Sequence, residues 1–508
     1  MPGISKVKSL NELADLLAEL RTADGDKPPV VVHCHGVFDL LHIGHIRYLQ
    51  KARELGDLLI VTATPDRYVN KGPHRPAFNE KHRLDSLAAL DCVDYVAVNE
   101  WPTAAETLRL LKPDIYAKGA EFRDHGTPEL RGEEAVVQEL GGRVEFIDEV
   151  RSSSSHLINQ YLSQFDETTD EYLRDFRSRH SLSEVIDWVE KARGLRVLVV
   201  GEAIIDEYYS CSAIGQSAKA PILAARYESH ERFAGGAMAV ANHLASFCDG
   251  VDLLSMIGDM GSEETWLRSQ LKTNVQADFV TKGNSPTIVK RRYLESYFQL
   301  PMFAINFLND DPLSAAEQSD ACRRLDDVDQ YDVVIVTDYG HQMMAPGVIE
   351  TLGNGAKFLA VNTQSNAANK GFHTISKYSR ADYVSLSELE LQLECRSRNG
   401  ELSQMLVDVG QRLYASTIAV TLGKLGCLCY NRRAGFHQAP ALATKVVDRV
   451  GAGDAFFGFT SLCAALDAPL EILAFLGNVA GAEAVAVVGN KQTMDSLLLK
   501  RHIESLFK

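Results

Sequence analysis

The chain has 508 residues, room for about two to four domains at roughly 150 residues each. Lys and Arg total 52 against 68 Asp and Glu, a net charge of −16 that disfavours general affinity for nucleic acid or anionic lipid. With 45% apolar and 24% charged residues the composition is globular, which excludes disorder as the main state, and no apolar run of about 18 residues suggests a membrane span.

In chain order, Asn11 to Leu20 places Leu13, Leu16, Leu17 and Leu20 on one helical face. Met1 to Leu20 lacks a basic region followed by an apolar core, so no secretory leader is expected and the cytoplasm is the expected location. Val30-Val31-Val32 reads as a buried parallel strand. A helix is expected over Ile46–Leu55, a strand over Leu58–Thr62, then helix Lys81–Leu90, strand Tyr95–Val98, helix Thr103–Leu111 and strand Asp114–Ala117. Strand and helix alternating through short loops predict a doubly wound parallel α/β sheet. From Gln164 to Ser181 the chain turns polar and charged, which reads as a helical linker. A second β/α series starts at Arg196–Gly201, so the expected division is 1–164, a linker over 165–190, and 191–508. The nine cysteines are scattered without a Cys-x-x-Cys pair, which fits reduced thiols better than a zinc site.

Between the first strand and helix stands Gly36-Val37-Phe38-Asp39-Leu40-Leu41-His42-Ile43-Gly44-His45. Gly36 permits a tight turn, and Gly44 lets backbone approach a ligand. His42 and His45 flank that glycine at a helix start, where free N–H groups already favour an anion. His33-Cys34-His35 is not read as a metal site, because Cys34 points to the opposite strand face. The segment resembles the His-x-Gly-His signature of cytidylyltransferase-type nucleotidyltransferases, and the likeness extends over most of residues 28–163. It implies catalytic roles for His42, His45 and Lys71. It also implies nucleotide contacts from Gly36, Phe38, Asp39, Gly44, Arg83, Lys118, Arg151, Ser152, Ser153 and Ser154. The implied reaction is attack of a substrate phosphate on the α-phosphorus of a nucleoside triphosphate, with release of pyrophosphate.

Near the C-terminus stands Asp448-Arg449-Val450-Gly451-Ala452-Gly453-Asp454. Small residues at Gly451, Ala452 and Gly453 expose consecutive N–H groups at a helix start, an anion hole for a transferring phosphoryl group. Asp454 in the same turn is placed to take a proton from an attacking hydroxyl. The string resembles the Gly-Ala-Gly-Asp motif of ribokinase-like (PfkB) sugar kinases, with a small β lid implied. That likeness implies sugar contacts from Asp206, Gly235, Gly236, Lys290 and Arg292, and a nucleotide turn at Thr421, Gly423 and Gly426. It implies Mg²⁺, to which Glu388 of Ser385-Leu386-Ser387-Glu388 contributes indirectly, and a monovalent cation near Asp448. The chain departs from the family pattern at Glu202, Ala239, Ser385 and Arg449-Val450. These departures imply either altered sugar specificity or a domain that only binds.

The pair of domains resembles the bifunctional heptose kinase and heptose 1-phosphate nucleotidyltransferase proteins, in which the kinase usually comes first; here the order is inverted. The resemblance implies ATP-dependent phosphorylation of a heptose-phosphate-like sugar at the anomeric position. Coupling of the sugar 1-phosphate to ATP, or to CTP, follows. A cytidylyltransferase for a polyol or sugar phosphate with a diverged kinase-like domain is the alternative. Expected partners are small molecules, a sugar phosphate and a nucleoside triphosphate, with neither nucleic acid nor membrane, and a homo-oligomer is expected, a dimer favoured.

Overall fold

A computed structural model describes residues 6–22, 28–69, 76–120, 128–147, 165–217, 219–261, 263–297 and 300–507. The chain forms two compact units, Met1–Gln164 and Phe165–Phe507.

The first unit runs α1 (Leu10–Thr22), β1 (Val31–Gly36), α2 (Ile43–Glu54), β2 (Leu58–Ala63), α3 (Glu80–Ala88), β3 (Tyr95–Val98), α4 (Ala105–Leu111), β4 (Ile115–Gly119), α5 (Pro128–Glu139) and β5 (Arg143–Ile147). Its five-stranded sheet has the order β3-β2-β1-β4-β5, parallel throughout. The strands are apolar on both faces because both are covered. Val32 and Cys34 pack with Leu49 and Ala52 of α2, whereas Val31 packs with Leu10, Leu13 and Leu17 of α1. The order reverses between β1 and β4. That opens a crevice at their carboxyl ends, where open α/β sheets take ligands.

The second unit begins with α6 (Glu167–Arg179) and α7 (Leu182–Lys191). Residues 165–190 are helical as expected, but they are not a linker. Leu173, Phe176, Val185 and Val189 are buried in the unit's core, and Phe176 stacks on Phe475 at 4.3 Å. The segment's charges lie on its outer face, which is why its composition reads as a solvated connection.

There follow β6 (Val197–Gln216), β7 (Leu223–Gly236), α8 (Ala237–Leu244), β8 (Val251–Met260), α9 (Glu263–Ser269), β9 (Val275–Pro286), β10 (Ile288–Glu295), β11 (Leu300–Phe307), α10 (Ala315–Arg323) and β12 (Val333–Asp338). The chain continues through α11 (Pro346–Gly355), β13 (Leu359–Thr363), β14 (Tyr383–Ser387), α12 (Glu388–Glu394), α13 (Leu402–Arg412), β15 (Thr417–Thr421), β16 (Cys427–Asn431), β17 (Gly435–Ala439), α14 (Ala452–Ala465), α15 (Leu470–Val485) and α16 (Ser496–Leu506). A central sheet runs β6-β12-β13-β14-β15-β16-β17, with β8 and β9 beyond β6. The far half of β6 leaves it to pair with β7 and β10, and β11 joins β10, forming the lid. Alternation along β12 divides the core. Val333 and Ile335 pack with α8, α14 and α15, whereas Val334 and Val336 pack with α11.

Candidate functional site

In the first unit the site is built where β1 ends. A Cβ on Gly36 would lie 3.1 Å from the Phe38 ring, and Phe38, buried at φ +48°, meets His45 edge-on at 5.4 Å. His42 caps α2, its Nδ1 accepting from Gly44 N–H at 3.1 Å. In the neutral ring the proton is therefore on Nε2, a donor suited to a phosphate oxygen. The His42 and His45 rings stack at 4.0 Å. Asp39, also buried, accepts from Phe78 N–H at 3.1 Å and so ties the motif to the loop before α3.

Two expected nucleotide ligands have other work. Arg83 is buried, and its guanidinium donates to the Phe78, Val37 and Thr64 carbonyls and to Asp66 at 2.7 Å. It clamps the loops around the motif. Lys118 shares a strand face with Tyr116, opposite α2, and its Nζ lies 3.2 Å from Glu133, which also accepts from Tyr116 Oη at 2.8 Å. A lysine there is compensated inside the fold. His33 and His35 both reach the Thr62 hydroxyl, at 2.8 and 3.0 Å, and burial pushes both down to about 3, so they are neutral. Lys71, Arg151, Ser152, Ser153 and Ser154 lie outside the described residues.

In the second unit β6 and β10 run in parallel register, Asp206 beside Lys290 and Tyr208 beside Arg292. Alternation puts these four on one lid face and Glu207, paired with Arg291 at 2.6 Å, on the other. Arg292 binds Asp206 Oδ1 at 2.5 Å. Gly235 and Gly236 are required by close approach: a Cβ on Gly235 would collide with Asp206 Oδ2, and one on Gly236, at φ +60°, with the Glu202 carbonyl.

Gly451, at φ +83°, caps α14, and Ala452, Gly453 and Asp454 form its first turn. Asp454 is buried; its Oδ1 accepts from Tyr339 Oη at 3.1 Å and Gln364 Nε2 at 2.5 Å, leaving Oδ2 without a partner among the described residues. Burial, reinforced by Asp206, pushes its carboxyl up to about 7 against the lowering pull of Tyr339, Gln364 and Lys290. Lys290 Nζ stands 5.7 Å from the Tyr339 ring centre, and burial lowers its pKa while Asp206 raises it. Asn490, whose Nδ2 lies 3.4 Å from Asp206 Oδ2, also abuts Gly451. Gln364 and Asn490 carry no motif signal in the sequence.

Glu202 accepts from the Tyr339, His341 and Met343 N–H groups. This longer carboxylate fills a backbone nest and fixes the loop that carries Tyr339. Ala239 is buried in α8 and offers no hydrogen-bonding group. Thr421, Gly423 at φ +60° and Gly426 at φ +90° form the β15–β16 turn, and Thr421 is in register with Ser387, next to Glu388. Glu388 is exposed and accepts from Gln392 at 3.2 Å, a hard oxygen donor at the sheet's carboxyl edge that suits Mg²⁺ arriving on a triphosphate. Asp448 accepts from Tyr208 Oη at 3.2 Å, Gly489 N–H at 2.9 Å and Val450 N–H at 3.1 Å. These bonds hold Asp448 in the loop that leads into α14.

Among the described residues no helix is long and apolar enough to cross a membrane. Residues 33–202 match the cytidylyltransferase-like family model, and residues 195–497 match the model of the pfkB family of carbohydrate kinases. "Bifunctional protein HldE" of Syntrophotalea carbinolica is 40% identical over 166 residues, and that of Pelobacter propionicus 42% identical over 164 residues. Each match covers 32% of this chain and 32% of the relative, so the likeness spans about a third of those proteins and falls in the cytidylyltransferase-like region. Phosphofructokinase-2 from Escherichia coli, in a crystal structure with potassium, covers 62% of this chain and all of its own at a TM-score of 0.51 and 16% identity, a likeness of fold. The family model covers most of the second unit and more than half of the whole, and the chain belongs to the pfkB family of carbohydrate kinases.

Proposed function

We propose that this is a two-site enzyme that phosphorylates a sugar at its anomeric hydroxyl with ATP. It then joins the resulting sugar 1-phosphate to a nucleoside triphosphate, with a heptose phosphate as the favoured substrate class and ATP the favoured nucleotide. One observation carries the reading: Asp454, buried in the first turn of α14 behind Gly451-Ala452-Gly453, has one oxygen fixed and the other open beside Lys290 and Asp206. At the kinase site Asp454 Oδ2 takes the proton of the sugar hydroxyl as that oxygen attacks the γ-phosphorus of ATP. N–H groups at the start of α14 face the charge growing on the phosphoryl oxygens, and ADP leaves. Lys290 and Arg292 hold the anionic end of the sugar. Glu388 would help hold Mg²⁺ on the triphosphate, where the ion would neutralise part of the phosphate charge.

At the transferase site a phosphate oxygen of the sugar 1-phosphate attacks the α-phosphorus of the second nucleotide, and pyrophosphate leaves. The stacked His42 and His45 donate to the oxygens that gain charge, with catalysis by positioning rather than by a covalent nucleophile. Support comes from the match of residues 33–202 and from relatives whose printed name is bifunctional. The test is a screen of ATP, CTP, GTP and UTP with sugar 1-phosphates for pyrophosphate release, and of free sugar phosphates with ATP for ADP release. Both activities are expected, the second abolished by Asp454→Asn. Absence of ADP release from every sugar, with Asp454→Asn changing nothing, overturns the kinase half. It would leave the second reading, a sugar-binding module, which Ala239 favours by removing an expected hydroxyl ligand.

A further inference from the structure

A cavity of about 710 Å³ lies between α11 and the segment after β13, lined by Gln342, Glu350, Asn354, Phe372, His373 and Lys377 among others. That volume suits a small ligand. It is not the kinase site. Asp338, the partner of the lining residue Lys377, follows Val334 and Val336 onto the α11 face of β12, whereas Asp454 belongs to the helix that covers the opposite face. We propose that this cavity binds an uncharged polyhydroxylated ligand, a free sugar or polyol, at a site separate from both reaction centres.

Three observations select that chemistry. First, the side chains of Gln342, Glu350 and Asn354 line the cavity with no hydrogen-bond partner among the described residues. Two amides and a carboxylate supply donors and acceptors in the mixture that neighbouring hydroxyls require. Second, the cavity's lysine is already neutralised: Lys377 Nζ sits 2.6 Å from the wholly buried Asp338, whose other oxygen is 3.4 Å from the His373 ring. What remains is the negative charge of Glu350, so a phosphate or carboxylate would meet no free cation among the described residues that line the cavity. Third, Phe372 at the rim is 94% exposed, a flat apolar ring open to the C–H face of a sugar. The walls are preformed. Gly340, at φ +76°, packs where a Cβ would strike Asn369, and Asn366 and Asn369 both donate to the Tyr339 carbonyl, at 3.2 and 3.3 Å. The site requires no phosphoryl transfer and stands whether or not the kinase reading holds.

The test is saturation-transfer NMR on the full chain with D-mannose, D-glucose and myo-inositol, alongside the phosphate esters of the two sugars. At least one neutral probe is expected to bind saturably. Affinity should fall about tenfold in Asn354→Ala and in Phe372→Ala and persist in Asp206→Asn, which alters the kinase's own sugar pocket. Unchanged melting temperatures in the first two variants confirm an intact fold. No binding by any neutral probe up to roughly 50 mM overturns the proposal. So does binding that ignores both substitutions, or phosphate esters that bind more tightly than their parents in a Phe372-dependent way.

Discussion

Asp454 illustrates how a carboxylate is tuned by what holds it. Tyr339 and Gln364 donate to its ionised form and so stabilise the charge that burial opposes. Only the ionised carboxylate accepts a proton, so kcat/KM of the kinase half is expected to rise with pH through about 7. Removing a donor raises the pKa. In Tyr339→Phe the acid limb should move to higher pH by about one unit, with KM for ATP unchanged. A pH–rate profile that stays in place would show that Tyr339 does not tune the base. Asp454 and its glycines were legible because they are contiguous. Gln364 and Tyr339 come from the ends of β13 and β12, so their convergence depends on strand order, which no local pattern reports. Arg83 illustrates the opposite case. A cation near a phosphate motif suggests a ligand, but its place inside a ring of carbonyls became visible only with the loops folded around it.

At the scale of elements, α6 and α7 show composition misleading and periodicity right. The stretch is charged overall, yet Leu173 and Phe176 fall on one face, and that face is buried against α15 and α16 through Phe475 and Phe507. Phe176→Ala is expected to cost about 3–5 kcal/mol, read as a lower midpoint in urea with little change in slope. A fragment starting at residue 191 should melt well below one starting at 165, because its core would be exposed. Equal stability of the two fragments would restore the linker reading. The elements expected in the first unit, α1 to β4, appear within a few residues of their expected positions, since runs such as Leu58–Ala63 admit a buried strand and little else. The lid was harder to foresee in extent. β6 runs unbroken for 20 residues through both the sheet and the lid, and nothing in Val197–Gln216 marks the crossing.

For the whole molecule, two reaction centres in one chain make a prediction that neither makes alone. His45→Ala should abolish pyrophosphate release and leave ADP release within about twofold, and Asp454→Asn should do the reverse. Each variant should fail to convert sugar phosphate to nucleotide sugar, and an equimolar mixture should recover that conversion, measured by chromatography. If both half-reactions persist separately and the mixture makes no nucleotide sugar, the product of one site is not the substrate of the other. The net charge of −16 does not describe the sites, since in the proposed reactions anions are met locally by helix starts and by Lys290 and Arg292. The sequence by itself determined the fold class and the two helix starts that carry the motifs, because hydrophobic periodicity and contiguous glycine turns are local properties. Only the tertiary structure decided which charges are free to act. Arg83, Lys118 and Asp448 each have a partner inside the fold, and Asp454 is held by residues far away in sequence, since compensation of charge depends on what packs against it in three dimensions.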